Sequence, residues 1–268
     1  MRAVCCSGNL DRPRQSGSST VRRSAITTHC RPPSTGALLK GLFLKGAYTY
    51  SHAIDMANYG DWTAFSWNAL SQFTRNRASA ANNIPHTFQL GYVYEAPFGN
   101  GKKWATTGVS RAILGGWQVN GFFSAYQGRQ YMLSASGAGL NMPGNAQTPD
   151  QIKPMVDTLG KVGDDGTWFD TTAFARPTGV RFGNVGRNTM RGPGVVNMDL
   201  SLFRTFKLRE WMNLQFRAES FNLSNTPHFA NPNGNANSSN FGKITATQSA
   251  ADAVGRSREL RFGLRLGF

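Results

Sequence analysis

Residues 38 to 268 predict an all-β fold: a portion of an antiparallel transmembrane β-barrel, with about six long strands, long extracellular loops and short periplasmic turns. Three observations carry this expectation. Apolar and polar side chains alternate with period 2 in six separate segments. The connections between those segments run long, short, long, short, long. Aromatic residues collect at the segment ends.

The chain starts with a stretch that fits none of this. Residues 1–36 carry six Arg and one Asp, show neither a helical nor a strand period, and change composition abruptly at residue 37. They are expected to be disordered and not native to the fold, so the barrel segment is assigned to 37–268. All three cysteines (Cys5, Cys6, Cys30) lie in this leader, so no disulfide framework or cysteine-based metal site supports the rest. No secretory signal precedes them.

In the first segment, "GLFLKGAYTYS", Leu42, Leu44, Gly46, Tyr48 and Tyr50 share one face. In the second, "TFQLGYVYEAP", Phe88, Leu90, Tyr92 and Tyr94 do so, and in the third, "GWQVNGFFSAYQG", Trp117, Val119, Gly121, Phe123 and Ala125. The fourth, "VNMDLSLFRTF", aligns Val196, Met198, Leu200, Leu202 and Phe206 against Asn197, Asp199, Ser201 and Thr205. The fifth, "WMNLQFRAESFN", aligns Met212, Leu214, Phe216 and Ala218 against Asn213, Gln215, Arg217 and Glu219. The sixth, "RELRFGLRLGF", sets Leu260, Phe262, Leu264, Leu266 and Phe268 against Glu259, Arg261, Gly263, Arg265 and Gly267. Each is close to the ~9–11 residues that a tilted membrane-crossing strand needs.

Alternation alone favours a soluble sandwich. The alternative reading is therefore a soluble or surface-attached β-sandwich that binds carbohydrate or acts as an adhesin. Loop asymmetry favours the barrel, because a compact soluble domain rarely carries unstructured loops beyond ~12–15 residues whereas outer-membrane barrels do. The aromatics favour it too. With odd strands running outward, Tyr94, Trp117, Trp211 and Phe268 fall at the periplasmic interface and Tyr48 and Tyr50 at the outer one. Arg204, on the apolar side of the fourth strand, sits near its periplasmic end, where its stem can reach headgroups and the ~2–4 kcal/mol cost of a midplane Arg is avoided. Asn197, Asp199, Arg217, Glu219, Arg261 and Arg265 face the lumen, with Asp199 expected beside Arg217 and a tight loop at 207–209.

Several stretches, "IPHTFQLGYVYEAPFGNGKKW", "ILGGWQVNGFFSAYQG", "WFDTTAF", "FGNVGRNTMRGPGVVNMDLSLFRTF", "LQFRAESFNLSNTPHF" and "RELRFGLRLGF", make residues 38–268 resemble the carboxyl-terminal barrel of TonB-dependent outer-membrane receptors of the Oar-like group. The resemblance implies a 22-stranded, plugged barrel in the outer membrane of a Gram-negative cell. It implies energising through TonB and uptake or binding of a bulky solute. It also implies that Phe262, Leu264, Leu266 and Phe268 form the signal read by the barrel-assembly machinery. Partners are then outer-membrane lipid, that machinery and, in the intact receptor, a plug domain and TonB; the plug and TonB box are absent from this sequence, so the chain is expected to be a fragment not competent alone.

No enzyme chemistry is expected. His29, His52, His86 and His228 are far apart and lack ligand spacing, "GNGKK" does not meet the phosphate-loop pattern, and no G-x-S-x-G occurs. Asp164 and Asp165 in "GDDGTWFD" are read as a solvated turn rather than a calcium loop. No cofactor or metal is implied. The net charge of +15 is dispersed, without a Lys/Arg stripe or a DNA-binding motif, so no nucleic-acid partner is expected. The long loops 53–86, 131–194 and 225–256 are the natural place for ligand capture.

Overall fold

A computed structural model describes residues 41–57, 65–137, 139–164, 166–248 and 257–268, together with the strand backbone at 5–9, 26–30 and 35–39. Strands run in the order β1 (Cys5–Asn9), β2 (Ile26–Cys30), β3 (Thr35–Leu39), β4 (Leu42–Asp55), β5 (Ala78–Ser79), β6 (His86–Glu95) and β7 (Trp117–Tyr126). Four two-residue strands follow: β8 (Gln130–Tyr131), β9 (Asp150–Gln151), β10 (Phe174–Ala175) and β11 (Met190–Arg191). The chain then forms β12 (Val195–Arg209), β13 (Met212–Phe221) and β14 (Glu259–Gly267). All six segments with period-2 alternation are therefore strands. Within the leader expected to lack order, β1 and β2 are strand backbone and β3 begins at its end; its other residues lie outside those described.

β4, β6, β7, β12, β13 and β14 pair antiparallel in that order. β2 and β3 extend the first edge by pairing different stretches of β4. The sheet is curled and open: β14 has a strand neighbour on one side only.

The registers join the six alternating patterns into two continuous faces. One row across the sheet runs Leu42, Tyr94, Val119, Leu202, Ala218, Phe262. The next row, on the opposite face, runs Phe43, Val93, Asn120, Ser201, Glu219, Arg261. A slip of one residue at any pairing would exchange the faces of every later strand, so this agreement is a strong constraint. Gly121 shows how closely the apolar face is fitted: its partner Tyr92 lays its ring over the glycine, where a Cβ would stand.

Two expectations about the β12–β13 hairpin are corrected. The strand runs on through residues 207–209, and the turn lies at 210–211 with a register shift between Lys207 and Arg209. Arg217 consequently pairs with Phe203 and Glu219 with Ser201, not with Asp199. One cross-strand ion pair is worth only about 0.2–1 kcal/mol, too little to set the register. Asp199 finds better partners: its Oδ1 accepts from Asn222 N at 2.8 Å and from Asn197 Nδ2 at 3.0 Å.

Buried apolar residues lie mainly in the loops. Trp67, Ala80, Leu133, Leu140, Phe169, Ala173, Val185 and Ile244 are all outside the six long strands, and only Val195 begins one. Leu133, Phe169 and Val185 form a cluster joined by Tyr131, Val156, Trp168, Phe174, Met190 and Phe241. The long connections at 56–85, 127–194 and 222–258 thus bury a core of their own at one end of the sheet.

Candidate lipid-facing surface and polar wall

Two surfaces are candidates for function. The apolar face of β14 is open to the surroundings, with Leu260, Phe262, Leu264 and Leu266 50–73% exposed and Phe268 92%. Left in water, each would forfeit much of the ~1.5–3 kcal/mol that burying such a side chain contributes. A sandwich would cover this face with a second sheet. The other sheets among the described residues are the two-stranded pairs β9–β10 and β8–β11.

The aromatics expected at the membrane interfaces separate into two groups. Tyr48 and Tyr50 lie along β4 toward the long-loop end and meet His86, the first residue of β6. The Tyr48 hydroxyl is 2.7 Å from His86 Nδ1, and the Tyr50 and His86 ring centroids are 5.3 Å apart. Tyr94 near the end of β6, Trp117 at the start of β7, Trp211 in the β12–β13 turn and Phe268 just past β14 lie at the opposite end. These four do not touch as one cluster; successive strands bring them to the same rim.

That rim holds an element not expected from the sequence. The 96–116 connection, expected only as a link of about 20 residues with a turn at "GNGKK", keeps that turn and adds helix α1 (Gly108–Leu114). Its signal was Val109 and Ile113, one helical turn apart, in a segment too short for a firm helical period. Arg204 ends on this helix rather than reaching outward alone. Its Nη1 donates to Ile113 O at 2.6 Å and its Nη2 to Ala112 O. Its guanidinium also lies 4.3 Å from the Phe206 ring centroid and 5.2 Å from that of Trp117. Trp117 Nε1 adds a hydrogen bond to Ile113 O at 2.9 Å. Helix-end carbonyls lack intrahelical donors, and a cation there is favourable. The buried charge of Arg204 on an apolar face is thereby accounted for.

The polar residues on the opposite face form a wall of local pairs. Asp199 Oδ1 accepts from Asn197 Nδ2 and from the backbone N–H of Asn222. Glu219 stands opposite Arg261, whose Nε donates to Glu259 Oε1 at 2.7 Å. Arg217 donates to Gln215 Oε1 at 2.9 Å and lies over Phe203, while Arg265 stands opposite Gln215. These contacts can hydrate and rigidify a wall, and nothing in them assembles a nucleophile with a base.

The loop cap is held by polar contacts spanning its separate segments. Arg187, fully buried, donates to Asn76 O at 2.9 Å and to Asp55 O at 2.8 Å, and pairs with the Asp55 carboxylate. Trp67 Nε1 donates to Ala146 O, and Asn145 Oδ1 accepts from Asn68 N and Ala69 N. Arg181 donates to both oxygens of Asp150, at 3.0 and 2.6 Å, and Asn184 N donates to Oδ1. These contacts, the Arg181 hydrogen bonds foremost, hold the Asp150 carboxyl below the usual carboxylate range. Asp150, Arg181 and Arg187 carry no local sequence pattern that links them to such distant partners.

Among the described residues no group of three or more His, Cys, Asp or Glu is placed to hold a metal. Asp165 lies outside the described residues; the backbone O of Asp164 accepts from Lys243 Nζ. No described helix is long and apolar enough to cross a membrane, which leaves crossing by strands untouched.

No curated protein and no solved structure matches the chain. Residues 35–261 match the outer membrane β-barrel domain family, and a match over that much of the sequence places this chain in that family.

Proposed function

We propose that the chain is part of the wall of a TonB-dependent, Oar-like transporter barrel, resembling its carboxyl-terminal strands, that passes or binds a bulky solute without catalysis. One observation carries the membrane part of this reading: six strands in register present an apolar face, interrupted by Arg204 near one rim and exposed at β14, against an opposite face that holds the Asn, Asp, Glu and most Arg side chains. In lipid every backbone group needs an internal partner, so the open edges call for further strands; a plug is what the resemblance adds. In this reading Asn197, Asp199, Arg217, Glu219, Arg261 and Arg265 line the lumen. Tyr48 and Tyr50 sit at the outer interface, and Tyr94, Trp117 and Trp211 at the periplasmic one. Phe262, Leu264, Leu266 and Phe268 are the residues read by the assembly machinery. The finer family assignment rests on the quoted sequence stretches.

Fractionation tests it. Fused behind a secretory signal and expressed in a Gram-negative host, the chain is expected in the outer-membrane density band and to need detergent for release. Release by carbonate or high salt alone overturns the reading in favour of a surface sandwich. Loss of the band on replacing Phe268 with Ser is the expected sign of the assembly signal.

A further inference from the structure

The helix at the short-connection rim has an exposed apolar side that the sheet does not cover. Val109 is 74% exposed, Ile113 59% and Leu114 45%, and nearby Trp104 is 52% exposed. Arg204 fixes where this helix lies. Its neighbours along the strand on the same face are Leu202 and Phe206, and its register partner is Trp117, so its guanidinium and the α1 carbonyls it grips belong to the apolar side of the sheet. The α1 carboxyl end is thus pinned to the rim of the face assigned to lipid. A seven-residue helix is marginal by itself; two side chains from the sheet hold this one.

The charges within its own connection have one sign. Residues 96–116 contain Lys102, Lys103 and Arg111 and no Asp or Glu. The nearest acid in sequence, Glu95, is taken by Lys102 at 2.7 Å. Lys103 Nζ lies 5.1 Å from the Trp104 ring centroid. An apolar helix side, a tryptophan and flanking cations are the composition of a segment that lies in the headgroup region of an anionic bilayer surface.

We infer that α1 is an interfacial anchor: Val109, Ile113 and Leu114 enter the headgroup–acyl boundary of the periplasmic leaflet, and Lys103 and Arg111 bind the phosphates of anionic phospholipid. The inference rests on the membrane reading above. Arg204 acts as the strap that holds the anchor at the depth of the barrel rim.

Spin labels on the full chain test it. With Cys5, Cys6 and Cys30 changed to Ser, single cysteines are placed at Val109, Ile113 or Leu264. The protein is reconstituted in phosphatidylethanolamine–phosphatidylglycerol vesicles or in phosphatidylcholine vesicles. Leu264 reports on the sheet face alone. All three labels are expected to collide more with oxygen than with a water-soluble nickel chelate, with positions 109 and 113 shallower than 264. Lys103→Gln with Arg111→Gln is expected to raise nickel collisions at 109 severalfold in the anionic vesicles only. Water-like accessibility at 109 and 113 with a deep 264 overturns the anchor and leaves the membrane wall standing. Water-like accessibility at 264 as well removes both. Equal behaviour of the charge variant in the two vesicle types overturns the anionic-lipid site. Quenching by brominated phosphatidylglycerol, taken as the difference between the native chain and Trp104→Phe, gives the depth without labels; no difference counts against the anchor.

Discussion

Arg187 reaches Asp55 from 132 positions later in the chain, closing an ion pair between the long β7-to-β12 connection and the end of β4. The same guanidinium donates to Asn76 O, so three chain segments converge on one fully buried side chain. Removing Arg187 takes the donor from the partly exposed Asp55 carboxylate and from two backbone carbonyls, at a cost below the ~3–5 kcal/mol of breaking a fully buried pair. Arg187→Ala is expected to expose the cap to trypsin at Arg77 and Arg129 while the long strands stay folded, read by limited proteolysis beside circular dichroism. Unchanged cleavage would refute this role.

The two faces of β14 should respond differently to charge. An Arg introduced on the lipid side near the midplane of a barrel costs about 2–4 kcal/mol. Leu264→Arg is therefore expected to lower stability in urea titrations of the reconstituted protein by that amount. Arg265→Gln, one residue away on the polar face, is expected to change it by under about 1 kcal/mol. Equal effects at both positions would contradict the assignment of the faces.

Acid should loosen the cap through Asp150. Its folded pKa is lowered, mainly by the two hydrogen bonds from Arg181. A carboxylate of this kind contributes its stability fully above the unfolded value of about 3.9 and loses it as pH falls through the lowered folded value. Cap protection, followed by hydrogen exchange of residues 147–151, is expected to be flat from pH 7 to 5 on this account and to fall below about pH 4. Asp150→Asn is expected to weaken the cap at neutral pH and to flatten the acid step.

The cap also tests how tightly its loops are packed. Gly183 is buried, and a Cβ there would meet the backbone oxygens of Thr148 and Pro149, which cannot rotate away. Gly183→Ala is expected to cost at least the ~1–3 kcal/mol typical of overpacking. Near-ultraviolet circular dichroism of Trp67 and Trp168 reads the loss, and an unchanged spectrum and melting point would exclude it.

The strands were legible because a period of two is written locally. Leu260 to Phe268 or Leu42 to Tyr50 announces a face without knowing its neighbours, and matching faces then limit the pairing to alternate registers. Choosing among those registers was not possible: Asp199 beside Arg217 was a reasonable pairing, but hydrogen bonds from Asn222 and Asn197 and the extension of β12 to Arg209 decided otherwise. The cap was invisible for a different reason. Arg187 with Asp55, or Phe169 with Phe241, are contacts between distant loops whose residues have no period to mark them. Arg204 was noticed only as an exception to a face, since its partners are carbonyls and carry no residue identity.

Arg204 offers the sharpest separation between a structural strap and a lipid contact. Replacing it with Ala deletes two donors to the α1 carbonyls of Ala112 and Ile113, while Trp117 Nε1 still reaches Ile113 O. Arg204→Lys keeps the charge but not the two-pronged geometry. If the guanidinium's main task is to hold the helix, both variants should increase proteolysis and hydrogen exchange across 105–116, with Lys only partly restoring protection. If it chiefly reached headgroups, Lys would restore protection in full, because an ammonium on a long stem serves a phosphate nearly as well. The expected order of protection is native, then Lys, then Ala, and equal protection in the native and Lys forms would reject the strap.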